Sequence, residues 1–363
     1  MITQLYNSIL NPDTPICQIV ELKKFAQEGT FGTLAVEKNK RIIKVCDNLK
    51  DRIINRIYTS YNLTTLSAPG YSIEPLDRYF FREYSEEKAS KLFGSLVIVG
   101  NNSLSDSEDR EGYIQFFKEC TSTLFISWDW DNHQWLDLST FLATHSDIYA
   151  VSHPENLYLL SRYNWLIAGP VNCATIQWTS SFLTENLSEI IKVKRSNSPL
   201  GQHNSYDTFW FREYVISSVG RYYPDVRMNE SPISYQTNSA EDRLSKWISH
   251  KSHWLMPVLN DIPIRIFDSL ITGGIAIVPE SLRFLPPIRD IPRDYIVFFT
   301  PKDIESPQRI TEKANSLFDK GGVEGIITRH RYALLNHHAD VRLQQILSFI
   351  YEVLGEDSGK SVE

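Results

Sequence analysis

The sequence is poor in the residues that announce a function. Four cysteines, Cys17, Cys46, Cys120 and Cys173, lie far apart in 363 residues, with no Cys-x-x-Cys pair. That spacing excludes a disulfide scaffold and offers no zinc pattern, so buried free thiols are expected. Positive charge is not in surplus: 37 Lys and Arg face 44 Asp and Glu, a net charge of −7. A chain that grips a phosphate backbone ordinarily carries a basic face, so no nucleic-acid partner is expected. No apolar run approaches the length of a membrane span, and any membrane association would be peripheral. The segment MITQLYNSIL lacks the basic and apolar regions of a signal peptide, which makes the cytoplasm the expected location. No internal repeat and no long low-complexity tract occurs, and nothing in the sequence bears on oligomeric state.

What is present is length, aromatic content and rhythm. The chain is long enough for two domains, and it holds 8 Trp, 18 Tyr and 18 Phe. Most of these are expected in cores; exposed ones give flat faces that stack on sugars and bases. Residues 12–65 carry apolar residues at helical spacing, broken around Gly29 to Gly32. From about residue 90, short apolar runs alternate with helical patterns: strands at 95–100, 123–127, 147–151 and 165–168, helices at 111–120, 137–145 and 154–163. Continuous apolar strands between helices predict a parallel sheet covered on both faces. The stretch 192–207, rich in Ser, Asn, Pro and Gly, marks an expected boundary. A second alternation follows, with helices at 208–222, 241–254, 263–272 and 307–320, a last one at 330–354 broken near His337-His338, and strands at 275–278 and 295–299. The expected domains are 1–195, 196–340 and a C-terminal helix and tail at 341–363. Two such α/β, Rossmann-like, doubly wound domains facing a cleft place ligands at the carboxyl ends of their strands.

The densest chemistry lies in the segment from Asn260 to Pro279. Pro263 suits a first helical turn, with Asp261 close enough to cap it. Arg265 and Asp268 are three apart and share one helix face. Gly273-Gly274 stops the helix just before a strand, and a glycine pair lets backbone approach a ligand. A guanidinium suits phosphate and a carboxylate suits a ribose diol; the competing reading is a plain helix–Gly–strand connection with a surface ion pair.

This segment resembles the donor-binding element of GT-B glycosyltransferases, in particular the family-1-like group that includes the CgeB-type proteins. The resemblance rests on the arginine, the aromatic Phe267, the acid Asp268 and the Gly turn into a strand ending at Pro279. It extends to Gly321-Gly-Val-Glu-Gly-Ile-Ile-Thr-Arg329-His330 and to His337-His338-Ala-Asp-Val-Arg342, covering roughly residues 196–350. In related retaining families an acid five positions before the glycine holds the donor ribose, and Asp268 has that spacing from Gly273. Those families often place a second acid eight positions earlier; here that residue is Asn260, so the two-acid motif is incomplete. The resemblance implies a nucleotide-sugar co-substrate and no metal or other cofactor. It also implies donor contacts from Gly201 and His203, where such domains begin, from Arg265, Asp268, Gly273 and Gly274, and from Lys251, whose other reading is a solvated lysine.

In the N-terminal half, a buried strand runs straight into Trp128-Asp-Trp-Asp-Asn-His-Gln-Trp135. Asp129, Asp131 and His133 can supply a general base for an acceptor hydroxyl, with tryptophan faces holding a sugar. Two other readings stand beside this: Mg²⁺ or Mn²⁺ ligands, and a capped strand end with no chemistry. His153 and Glu155 form a weaker candidate pair at the same edge. The function implied is transfer of a sugar from a nucleotide donor to a glycan or other small acceptor, in cell-surface polysaccharide or lipopolysaccharide synthesis. The rivals are a catalytically inactive GT-B-like binding subunit, a CMP-ulosonic-acid-type transferase, and a metal-dependent hydrolase.

Overall fold

The computed structural model describes residues 32–49, 55–131, 134–154, 157–205, 209–229, 238–259 and 261–354. Within them, the apolar runs form strands buried on both faces. Leu96–Gly100 (β3), Leu124–Asp129 (β4) and Ile148–Val151 (β5) have no exposed residue. Each such Val, Ile or Leu removed from water contributes about 1.5–3 kcal/mol, which commits these segments to the middle of a sheet. Two strands precede them: Arg56–Thr59 (β1) and Ser72–Pro75 (β2). Here the helical expectation for 12–65 is corrected. A helix, α1, covers Gly32–Leu49, but Ile57, Tyr58 and Thr59 are buried in β1 beside β3. β-branched and aromatic side chains pack well on a pleated surface, and that pairing overrides the local helical rhythm. Residues 12–31 and 50–54 of that expectation lie outside the described residues.

With Ile167–Ala168 (β6), these strands form one parallel sheet in the order β2-β1-β3-β4-β5-β6. Crossing helices include Glu86–Lys91 (α2), Ser107–Glu119 (α3), Leu136–Thr144 (α4) and Leu157–Leu160 (α5). The order reverses between β1 and β3, the crossover beside which open parallel sheets bind ligands at their carboxyl edge.

The second half repeats the plan with shorter strands. Gly201–His203 (β7) pairs with Val226–Met228 (β8), and Ser252–Trp254 (β9) with Ile275–Pro279 (β10) and then Ile296–Phe299 (β11), all parallel. A parallel bridge between Leu200 and His253 joins the two ribbons, with Trp254 N donating to Leu200 O at 2.8 Å. The spatial order is therefore β8-β7-β9-β10-β11, reversing between β7 and β9. The helices Ser180–Glu185 (α6), Leu187–Lys192 (α7), Trp210–Gly220 (α8), Ala240–Ile248 (α9) and Ile264–Ile271 (α10) accompany it. Pro301–Glu305 (α11), Pro307–His337 (α12) and Ala339–Leu354 (α13) complete the chain. The stretch 241–254, expected as one helix, is α9 followed by β9. The helix at 330–354, expected to break near the His pair, does so: α12 ends at His337 and α13 begins at Ala339.

The described residues fall into two compact units, one drawn from 1–64, 70–170 and 350–363, the other from 65–69 and 171–349. The division falls at 170/171 and not at 195, because Trp178, Leu183 and Ile190 are buried in the core of the second unit with Ile266, Phe267 and Ile277. No helix among the described residues is long and apolar enough to cross a membrane.

Candidate functional site

The carboxyl edge of the first sheet gathers residues from three successive strand ends. Asp129 closes β4 wholly buried. Its carboxylate accepts from the Tyr149 hydroxyl at 2.7 Å and from the Asp131 backbone N–H at 3.2 Å. Burial pushes its pKa up to about 6, against hydrogen bonds from Ser139 and Tyr149. Asp131, two residues on and partly exposed, accepts from Asn101 Nδ2 at 2.6 Å. Asn101 follows β3, buried just after Gly100. Burial raises the Asp131 carboxyl above the usual range, while Asn101 and the charge of His153 pull it back. His153, beyond β5, is buried with Nε2 at 3.1 Å from the Trp130 carbonyl oxygen. Trp128 and Trp130 meet edge to face at 4.9 Å, and the buried Trp128 Nε1 has no hydrogen-bond partner. His133, Asn132 and Glu155 lie outside the described residues. Asn101, Asp131 and His153 thus form one polar cluster in which a hydrogen-bonded carboxylate of raised proton affinity can accept a hydroxyl proton. Sequence reasoning missed Asn101, whose signal was the Gly-Asn-Asn that ends the β3 run.

In the second unit the corresponding edge is cationic. His203 ends β7 buried, and its Nε2 accepts from the Met256 N–H at 2.9 Å. Burial first, then the charges of Arg265 and Arg212, hold its pKa well below the ordinary value. The neutral ring therefore carries its proton on Nδ1, an atom buried without a partner. Arg265 lies in the first turn of α10, which begins at this edge because α10 carries the chain from the end of β9 to the start of β10. Its helix start is Pro263 with no side-chain cap; Asp261 instead accepts from the Val258 N–H at 2.7 Å. Leu200, Gly201, Gln202, Leu255 and Arg265 line a small recess with Lys246 and Trp247, at the β7/β9 crossover. Gly201 is required by packing, since a Cβ there would lie 3.0 Å from Trp254 O and from Val226 Cγ1. Arg212, which the sequence reading passed over, is buried on α8 and donates to the carbonyls of Met256 at 2.9 Å and Pro257 at 3.2 Å.

Asp268, one turn after Arg265, is enclosed. Thr175 Oγ1 donates to it at 2.6 Å and Gln177 Nε2 at 2.5 Å. Burial pushes its pKa up to about 6 against those bonds and the charges of Arg265 and Arg243. The remaining residues of the expected donor set are elsewhere. Gly273 and Gly274 follow the last turn of α10, at the amino edge of the sheet. Gly273 has a left-handed φ of 75°, and a Cβ there would meet Ile326; one on Gly274 would collide with the His253 ring. Lys251 precedes β9 at that same edge and pairs with Asp319 at 2.7 Å. The structure thus brings Gly201, His203 and Arg265 together, with Asp268 behind them, and leaves Lys251, Gly273 and Gly274 at the opposite end of the strands. Among the described residues no cluster of three His, Cys, Asp or Glu is placed to hold a metal ion.

No protein-family model matches the chain, and no curated protein matches it. Solved structures do. An alpha-glucosyltransferase in complex with UDP superposes with a TM-score of 0.51 at 10% identity, over 81% of this chain and 98% of that one. An alpha-glucosyltransferase in complex with UDP-glucose and DNA containing an abasic site gives 0.52 at 11%, over 81% and 98%. An alpha-glucosyltransferase in complex with UDP and a 13-mer DNA containing a HMU base gives 0.53 at 10%, over 84% and 100%. At such identity the likeness is one of fold, and the fold is the GT-B-like architecture of nucleotide-sugar glycosyltransferases.

Proposed function

We propose that this chain transfers a glycosyl group from a nucleotide-activated donor to a hydroxyl of a glycan or other small acceptor. The observation that carries the reading is that Arg265 and Gly201 line one recess at the β7/β9 crossover, with the buried His203 close to Arg265, on a fold shared with an enzyme in complex with UDP. A diphosphate needs fixed cations, and Arg265 and Lys246 both line this recess. As the acceptor oxygen bonds to the anomeric carbon it gives up its proton, and the bond from that carbon to the diphosphate oxygen breaks, its electron pair leaving with the phosphate. Within the first unit Asp131 is the group suited to take a hydroxyl proton; within the second Arg265 is the group suited to phosphate charge. Asn101 and Asp129 are positioning residues, holding Asp131 and its turn. Asp268, enclosed by Thr175 and Gln177, is likewise a positioning residue of α10 and does not meet the ribose, which departs from the role its spacing implied. Lys251, Gly273 and Gly274 have no place in this donor site.

The segment from Asn260 to Pro279 supports kinship with the CgeB-like group and, by analogy alone, an acceptor in cell-surface polysaccharide or lipopolysaccharide synthesis. Some fold relatives were crystallised with DNA; the net charge of −7 argues against DNA as acceptor here. A thermal-shift panel of UDP, GDP, CMP and their sugar conjugates, followed by assay of donor hydrolysis, tests the reading. A shift with one nucleotide and slow hydrolysis of its sugar conjugate is expected. No shift with any of them would sink the reading, and a shift without turnover would leave a binding subunit.

A further inference from the structure

The amino edge of the second unit's sheet holds two buried guanidiniums with no carboxylate to match them. Arg195 is 8% exposed and Arg329 2%, and both lie over the Phe318 ring, 5.2 Å from its centroid. Buried charges ordinarily have a partner of opposite sign, yet among the described residues neither forms an ion pair. Arg195 has a structural duty. It donates to Ile190 O at 2.9 Å, Thr272 O at 2.7 Å and His250 O at 3.2 Å, closing the ends of α7 and α10. Arg329 is not explained in that way. Its Nε donates to Gly273 O at 2.9 Å, while Nη2 is buried with no partner.

What surrounds the free end of Arg329 is glycine and the start of a helix. A Cβ on Gly325 would lie 3.0 Å from Nη1, and one on Gly321 3.4 Å. At Gly322 (φ 52°, ψ −148°) α12 breaks, so residues 323–337 begin a second helical segment. The first amides of such a segment lack intrahelical acceptors and carry partial positive charge. Gly322 to Glu324 are exposed, and a Cβ on Gly322 would meet nothing within 4 Å, so this turn opens to solvent. Of the nearby acids, Asp319 is paired with Lys251 and Asp294 acts on Arg329 only at a distance. Burial first, then the charge of Arg329, bring the pKa of Arg195 down to about 9.

We propose that Arg329, with Arg195 behind it and the amides of residues 323–325 beside it, binds a small oxyanion of the phosphate class at the amino edge. This site is separate from the nucleotide site and does not depend on it. A tetrahedral anion takes the paired donors of a guanidinium and the N–H groups of a helix start together.

The test is calorimetric titration of the full chain with inorganic phosphate and, separately, methyl phosphate, against chloride at matched ionic strength. Saturable binding at one site is expected, persisting with saturating UDP present and in Arg265→Ala. Preference for methyl phosphate identifies a phosphomonoester as the natural ligand; preference for inorganic phosphate identifies the free ion. Arg329→Met and Gly325→Ala should each weaken binding about tenfold or more, the loss of roughly one charge-assisted hydrogen bond. Gly325→Ala keeps both arginines and raises helix propensity, so it serves even if Arg329→Met does not fold. No binding beyond the chloride control would overturn the proposal. So would binding undiminished in Gly325→Ala, or binding that UDP displaces and Arg265→Ala abolishes.

Discussion

The two sheets share one strand order and differ in the charge at their carboxyl edges. In the first unit that edge presents a carboxylate, Asp131, held by Asn101 and flanked by His153. In the second it presents Arg265 beside a histidine kept neutral and a buried Arg212. Backbone topology alone cannot produce that difference, since both edges lie beside the same kind of crossover. It comes from a few side chains placed one to three residues past a strand end or in the first turn of the next helix. The proposed function gives the two edges different work: a proton acceptor in one unit and an anion-binding group in the other.

Breaking the acidic edge should have the largest effect. Asp131→Asn keeps the shape and removes the base, so donor turnover should fall by about 10²–10⁴-fold while UDP affinity is unchanged. A loss of affinity equal to the loss of rate would contradict the division. Breaking the cationic edge comes next: Arg265→Ala should weaken UDP binding by about 10–100-fold in calorimetry and leave the thermal midpoint nearly unchanged.

Gly274→Ala sharpens the contrast between the two edges of the second sheet. A methyl there collides with the buried His253 ring, so stability should drop by about 1–3 kcal/mol, read as a lower denaturant midpoint. UDP affinity of the folded fraction should not change, whereas a glycine needed for ligand approach would show the reverse. The last prediction concerns the pH dependence of stability, through Asp268. Its folded pKa, about 6, lies above the model-peptide value of 3.8. Between those two values the unfolded chain is ionised and the folded one protonated. This group's contribution therefore favours folding at low pH, declines as pH rises from about 4 to about 6, and is flat above. Asp268→Asn should remove that portion of the pH dependence, about 2–3 kcal/mol at most. Thermal midpoints of both proteins across pH 4–7 measure it, and identical profiles would contradict the assignment.

How much of this was legible in the sequence follows from strand length and from where partners come from. β3, β4, β5, β10 and β11 were readable because four to six consecutive apolar residues admit little else. β7, β8 and β9 are three residues each, too short for a periodic pattern, and exist through pairing that local sequence does not record. β1 was hidden inside a helical rhythm for the same reason. The place of Arg265 in the first turn of α10 was legible because helix-start signals are local. The enclosure of Asp268 was not, because Thr175 and Gln177 come from more than 90 residues away. The glycine pair was visible, but its role was inverted: a helix that starts at the carboxyl edge must end at the amino edge, and strand order was needed to show it.

The claim that matters most is where the nucleotide binds. A crystal of the full chain soaked with UDP would place it directly. The diphosphate is expected at the β7/β9 crossover, within hydrogen-bond reach of Arg265. Density for UDP at the amino edge against Arg329 and Gly325, or none on the second unit at saturating UDP, would contradict it.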